Sequence, residues 1–369
     1  MKKKILHIQV LPILSGVQKV SLEILQNLSD KEYDKWILFS DNMDKRNKNI
    51  CKETFENIGT KVIFSKTLRR EIGFSDFYAL SEIYKLCKKE KFDIVHTNST
   101  KSGIVGRIAA FCANVPLVIH TVHGLSFHNY IKFPKWQFYW ACEVIASIFC
   151  HKIVLVNNYY SKYFRWFKKK TDTIYNGISY ENLQTRKTVK ENTPLKLLYV
   201  GRLDEPKDPV TLLKAAKIIL EKYPQCLFSL VGDGEKYNEC EKFIKENGLS
   251  AQINLLGWQN NVSDYYATHH IFISSSIYEA FGLTFLEAGY YELPTACTNV
   301  EGIPEVVIDE YTGLLSNPRD ENALANNIIT LIENKNLRQT YGENAKKWVS
   351  SNFSVEKMVE KYKLIYANK

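Results

Sequence analysis

Residues 271–288 read IFISSSIYEAFGLTFLEA, and residues 195–222 read LKLLYVGRLDEPKDPVTLLKAAKIILEK. Each stretch leaves a short apolar run, crosses a polar loop and enters a helical pattern. The first run spans Ile271–Ser274, and a helix is expected to begin near Gly282. The second runs from Leu195 to Val200 into a helix over Val210–Lys222. Outward from these, Cys226–Val231, Ile253–Leu256 and Thr295–Cys297 read as further strands, with a helix over Tyr237–Asn247. The half before them behaves alike. Strands are expected at Lys4–Val10, Lys35–Phe39, Lys61–Phe64, Ile94–His96, Val118–Thr121 and Ile153–Val156, with helices over Val17–Leu28 and Phe77–Lys89. Leu80, Ile83, Tyr84 and Cys87 recur at helical spacing. Strands alternating with helices imply a parallel sheet covered on both faces. The polar stretch Ser179–Thr193, ending at Pro194, divides two such domains. The expected boundaries are 1–185 and 186–347, with a final helix at about 348–369 packing back on the first domain. Ligands of open α/β sheets bind at the carboxyl ends of the strands, so two such domains facing one another would enclose a cleft.

The chain has 369 residues, 45% hydrophobic and 24% charged, the balance of a globular protein rather than a disordered or multi-span one. Eight single cysteines without a C-x-x-C pair argue against a disulfide scaffold or structural zinc and fit a reducing cytoplasm. The start, MKKKILHIQV, has a basic tip, but His7 and Gln9 interrupt its apolar run, so it reads as a buried strand rather than an export signal. The apolar stretch from Trp136 to Val156 is broken by Glu143, His151 and Lys152 and is no membrane span. The net charge of +9 is uneven: residues 1–185 carry +12 and residues 186–369 carry −3. A basic half beside a mildly acidic one fits an anionic surface, although solvated lysines would give the same arithmetic. No nucleic-acid recognition motif accompanies the charge.

The chemistry-bearing residues follow the strands. Gly201 lets the backbone turn closely after its strand. Arg202 and Lys207 are cations near a helix N-terminus, where a diphosphate would be favoured; pairing with Asp204 and Asp208 is the structural alternative. Glu279 and Glu287 stand eight apart, one in the loop and one a turn into the helix, able to face one ligand. The amides of Phe281, Gly282 and Leu283 would be free donors for phosphate oxygens.

The segment SSSIYEAFGLTFLEAGYYELPTACTNVEGIPEVVIDEYTGLL, from Ser274, together with LLYVGRLDEPKD, resembles the family 4 retaining glycosyltransferases of the GT-B fold, whose E-x7-E signature the two glutamates match. The resemblance covers nearly the whole chain. It implies an α/β GT-B protein of two Rossmann-like, doubly wound domains. Arg202 and Lys207 would bind the donor diphosphate, Glu279 the donor sugar and Glu287 the ribose. The amides of Phe281 to Leu283 would take the distal phosphate. Gly232, Gly234, Gly257 and Trp258 lie on loops resembling those around the base and ribose. Glu292 departs from the family's usual glycine. In the first half Gly16 remains of a glycine loop beside the donor phosphates. His123, in the segment HTVHGLSFH, matches a cleft-facing catalytic histidine. His120, His128, His96 and Lys101 are acceptor-side candidates.

This version of the histidine segment looks most like bacterial enzymes that build capsule, O-antigen or exopolysaccharide on a polyprenyl diphosphate carrier. The implied donor is a nucleotide diphosphate sugar, a UDP-sugar in preference to a GDP-sugar. The expected acceptor is a lipid-linked saccharide and the expected location the inner face of the cell membrane. The aromatic and basic stretches 130–140 and 163–170 would suit an anionic membrane interface. No D-x-D pair is placed to hold a metal, so the expected site is metal-free, with no cofactor. Rival readings are a nucleotide-sugar 2-epimerase of the same architecture and a non-catalytic two-lobed sugar-binding protein.

Overall fold

The computed structural model describes residues 2–70, 73–128, 130–180 and 194–367. They form two compact units: Met1–Gly177 with Val355–Lys369, and Ile178–Ser354.

In the first unit β1 (Lys3–Ile8), α1 (Gly16–Gln26), β2 (Tyr33–Ser40), α2 (Lys45–Glu56), β3 (Lys61–Ser65), α3 (Ser75–Glu90), β4 (Ile94–Asn98), α4 (Thr100–Cys112), β5 (Leu117–Val122), α5 (Lys135–Ile148), β6 (Lys152–Leu155) and β7 (Thr171–Thr173) follow in turn. The strands make a seven-stranded parallel sheet of order β3-β2-β1-β4-β5-β6-β7. The central strands β1, β4 and β5 are buried almost end to end, as strands covered on both faces must be. Right-handed crossovers put α1 and α2 on one face and α3, α4 and α5 on the other; α3 packs on α4 and α4 on α5.

The second unit contains β8 (Lys196–Val200), α6 (Pro209–Lys222), β9 (Leu227–Val231), α7 (Tyr237–Glu246), β10 (Ile253–Gly257), α8 (Ser263–Thr268), β11 (Ile271–Ile273), α9 (Leu283–Tyr290), β12 (Thr295–Thr298), α10 (Ile303–Val306), β13 (Gly313–Ser316), α11 (Glu321–Glu333) and α12 (Lys335–Asn352). Its six-stranded parallel sheet has the order β10-β9-β8-β11-β12-β13. Leu197, Tyr199, Leu213, Phe228, Ile271 and Ile273 anchor its core. Strand order reverses between β8 and β11, the place where open sheets bind ligands. This topology brings together the loops around Lys207 and Glu279, 72 residues apart.

A last helix, α13 (Val355–Ala367), belongs to the first unit. The Tyr366 hydroxyl hydrogen-bonds with His96 Nδ1 at 2.7 Å and His7 Nε2 at 3.3 Å, and the Tyr362 hydroxyl with Thr121 Oγ1 at 3.0 Å. The expected return of the C-terminal segment therefore starts at Val355 rather than 348. Residues 348–354 stay with the second unit because Phe353 packs edge-on against Phe281 and Val349 lies against Gly289. The expected 185/186 boundary lies outside the described residues; the chain passes between the units at Gly177–Ile178. Glu292, where the family usually has glycine, has φ of +56°. The turn keeps the left-handed geometry that suits glycine, and the Glu292 carboxylate pairs with Lys346 at 2.7 Å. Short β7 and β13 escaped sequence reading, since runs of three and four residues carry little pattern.

Candidate active site

In the second unit the loops after β8, β9 and β10 are laced together by their backbones. Gly201 N–H donates to Val231 O, Leu203 N–H to Asp233 O and Gly232 N–H to Gly257 O, at 2.8–3.0 Å. A Cβ on Gly232, whose φ is +142°, would stand 1.8 Å from Gly201 O. Gly232 and Gly257 thus serve loop crossing directly, and only Trp258 among these candidates presents an exposed ring.

On this base the Arg202–Lys207 loop is clamped to the loop after β11. The Tyr199 hydroxyl, buried beneath it, donates to Arg202 O at 2.6 Å. The Ser275 hydroxyl donates to Lys207 O at 3.0 Å and Asp208 O at 2.7 Å, and Ile277 N–H to Pro206 O at 2.9 Å. Sequence reading gave Ser275 and Tyr199 no role; a serine run at a strand end was the available signal. Held this way, Lys207 forms an ion pair with Glu279. Arg202 Nη2 lies 2.8 Å from Asp204 Oδ2 with its guanidinium largely exposed. Asp208 instead caps α6, accepting from Thr211 N–H.

Gly282 (φ +78°) caps α9, and a side chain there would strike the Phe285 ring at 2.4 Å. The first two amides of α9, Leu283 and Thr284, have no carbonyl of their own turn to bind and are available to an anion, whereas Phe285 N–H donates to Gly282 O at 3.1 Å. The Phe281 side chain is buried against Phe353, so only its backbone could face a ligand. Glu287 accepts a hydrogen bond of 2.9 Å from the Tyr266 hydroxyl. Tyr266 is buried and stacked on Tyr291, and burial beside Glu287 raises its pKa, keeping it a donor. Tyr266 was also missed; it lies on α8, without a motif of its own.

The first unit holds the remaining candidates. Gly16 opens α1 and is exposed. His123 follows β5, and its Nε2–H donates to Asn98 Oδ1 at 3.0 Å. Burial draws its pKa down to about 3, so it is neutral near pH 7 with Nδ1 as an acceptor. His96 and His120 are not acceptor-side groups: both are sealed in the core. His96 is held by Tyr366 and by Thr121 Oγ1 at 2.7 Å. His120 Nδ1 hydrogen-bonds with Thr97 Oγ1 at 3.0 Å above the buried Arg107–Glu143 ion pair. Periodicity placed these histidines on strands but could not say which face was covered. Lys101 opens α4 in an ion pair with Asp76 of α3. His128 is half-buried near Tyr130, and burial lowers its pKa. Among the described residues no group of three or more His, Cys, Asp or Glu side chains could hold a metal ion.

The profile "Glycosyltransferase Family 4" matches residues 14–182, and "Glycosyl transferases group 1" matches residues 181–348. A UDP-Gal:alpha-D-GlcNAc-diphosphoundecaprenol alpha-1,3-galactosyltransferase of Escherichia coli is 31% identical over 99% of this chain and 97% of its own. The chain belongs to the family 4 glycosyltransferases. The capsular polysaccharide biosynthesis glycosyltransferase CapM of Staphylococcus aureus is 29% identical over 81% of this glycosyltransferase and 83% of its own length. In fold, the glycosyltransferase matches Anabaena HepE in complex with UDP and glucose (TM-score 0.82, 19% identity, all of both chains). It also matches sucrose-phosphate synthase from Thermosynechococcus elongatus (TM-score 0.80, 21% identity, 99% and 98%). The protein is a GT-B glycosyltransferase, and neither the epimerase nor the receptor reading is favoured.

Proposed function

We propose that this glycosyltransferase moves a hexosyl or N-acetylhexosaminyl group from a UDP-sugar to a saccharide carried on polyprenyl diphosphate, with retention, at the inner face of the cell membrane in surface-polysaccharide assembly. The observation that carries the donor half is the Lys207–Glu279 pair beside the α9 amides at the strand-order reversal. Lys207 and Arg202 balance charge on the departing diphosphate as the glycosidic bond breaks. The α9 amides take the distal phosphate, Glu279 the sugar hydroxyls and Glu287 the ribose. The acceptor hydroxyl attacks from the face the diphosphate leaves, and the diphosphate oxygen takes its proton. Neutral His123 accepts a sugar hydroxyl at Nδ1 without setting a positive charge against the cationic transition state. The E. coli relative's UDP-galactose donor and diphosphoundecaprenol-linked acceptor, and HepE's bound UDP, support the substrate classes.

The test is a donor panel offered with a lipid diphosphate-sugar acceptor, the product identified by mass; hydrolysis alone, or no product with any UDP-sugar, would reject it. Because the cations are side chains, turnover should persist in excess EDTA, and activity lost there but restored by Mg²⁺ or Mn²⁺ would refute the metal-free site. Tyr266→Phe should weaken UDP binding about fivefold to tenfold, the worth of a hydrogen bond to a carboxylate that orients it. Binding of 2′,3′-dideoxy-UDP should be unaffected by the substitution. An equal loss with both nucleotides in calorimetry would remove Glu287 from the ribose.

A further inference from the structure

We propose that the first unit docks on an anionic bilayer through the α3–α4–α5 layer, with Phe74, Phe77 and Tyr78 as its inserting side chains and its His123 end toward the lipid. The proposal rests on the lipid-linked acceptor above for its purpose, and on surface chemistry for its location.

Phe74 is 88% exposed and Phe77 75%, on the residue before α3 and in its first turn, and Tyr78 beside them is exposed too. At that exposure the rings are not packed into a groove of the described residues of their own unit. Two helices away, α5 is built inside out. Its polar Glu143 and Ser147 face the core, while Phe138, Ile145 and Ile148 face outward at helical spacing. Between them α4 turns half-buried Ile104 and Ile108 and exposed Phe111 to the surface. Phe133, just before α5, is 80% exposed. The helix layer thus shows solvent an apolar face where a globular surface would show a polar one.

Topology fixes which end this is. In a parallel sheet every helix that follows a strand starts at the strand's carboxyl end, so Phe74, Phe77, Tyr78, Phe133 and Phe138, before or in the first turns of α3 and α5, share one end, while Phe111, Ile145 and Ile148, in the last turns of α4 and α5, lie toward the other. Asn98 closes β4 and His123 follows β5 at the carboxyl end, with Phe74. A saccharide tethered to a lipid can reach a site only if that site is presented to the bilayer, as this arrangement does.

Charge selects the occupant. Segments 66–78 and 130–140 with Lys101 contain six Lys or Arg against two acidic residues, and one of those acids, Asp76, is paired with Lys101. Lys66, Arg69, Arg70, Lys132 and Lys135 are exposed around the rings. Aromatic rings interleaved with cations fit the headgroup boundary of an anionic membrane. The stretch 163–170, which sequence reading ranked beside 130–140, has a different part. Lys170 turns inward and donates to Ser147 O at 2.6 Å and Cys150 O at 2.8 Å, capping α5. Lys168 and Lys169 accompany it toward the start of β7, at the other end of the sheet.

The experiment compares the full chain, Phe74→Ser/Phe77→Ser/Tyr78→Ser and Lys168→Ser/Lys169→Ser for cosedimentation with phosphatidylglycerol vesicles and with phosphatidylcholine vesicles. Wild type should bind the anionic vesicles and be released by high salt. The aromatic triple variant should lose roughly tenfold or more in partitioning, and the lysine pair should lose less than about threefold. With a short water-soluble acceptor the triple variant should turn over like wild type; with a long-chain acceptor in vesicles it should fall in proportion to binding. Vesicle binding unchanged in the triple variant, or a wild type that stays in the supernatant, would overturn the docking face. So would a wild-type dimer that the triple variant dissolves, because the rings would then cover a second copy. Loss of docking in the triple variant, with no turnover of any lipid-linked acceptor, would uphold the face and reject the acceptor reading instead.

Discussion

Lys207→Ala should lower kcat/KM by about two to three orders of magnitude, the 3–4 kcal/mol typical of removing one group that stabilises developing charge. The fold should be unaffected. Lys207 is held by its backbone, through Ser275 and the Pro206 carbonyl, and its side chain reaches out to Glu279. A companion variant separates the two roles. Glu279 pairs with Lys207, so a diphosphate must compete with a carboxylate for the same ammonium. Glu279→Gln should therefore bind UDP at least as tightly as wild type while turnover collapses. Near-normal rates in Lys207→Ala, or UDP binding that weakens in Glu279→Gln, would remove the pair from the donor site.

The second large effect is on stability in mild acid. Burial holds the imidazoles of His7 and His123 near pKa 3 and those of His96 and His120 well below their ordinary value. In the unfolded chain each returns to about 6.5. Between these values the unfolded chain binds protons the folded chain refuses. The stability these groups contribute is complete above about pH 6.5 and is lost as the pH falls. Each contributes a slope of about 1.4 kcal/mol per pH unit, so four together remove several kcal/mol by about pH 5. All four lie in the first unit; in the second, burial draws the His269 imidazole down to about 4. Urea unfolding at pH 7 and pH 5 should show the loss, and limited proteolysis at pH 5 should cut the first unit before the second. A urea midpoint equal at both pH values would mean that these histidines are not held neutral. His96 and Tyr366 make the link to α13, so its release should be an early step.

Much of this was written in local sequence. Continuous apolar runs of four to six residues between helical patterns established two parallel-sheet units, because strands buried on both faces have no polar alternation to show. The spacing of Glu279 and Glu287 across Gly282 placed one in a loop and one in a helix, because Gly282 supplies the left-handed cap that starts α9. Glycine's absence at 292 was legible as a departure, but only the backbone shows Glu292 taking up the left-handed conformation itself, at φ +56°.

What local sequence left open depends on which groups meet across long separations. Histidines on β4 and β5 look alike in sequence. The packing of α13, some 270 residues from His96, buries that one under Tyr366, while His123 one residue past its strand keeps partial exposure. Lys207 selects Glu279 over the adjacent Asp208 because strand order sets the β8 and β11 loops side by side, and Asp208 is already occupied as a helix cap. Lys170 reads as one more surface charge until the end of α5 presents it two carbonyls. Sequence determined the elements and the chemical types available, since propensity and periodicity act over a few residues. Tertiary structure alone decided which of those groups are buried, paired or open to a ligand, since burial and charge pairing are properties of neighbours brought together by the sheet order.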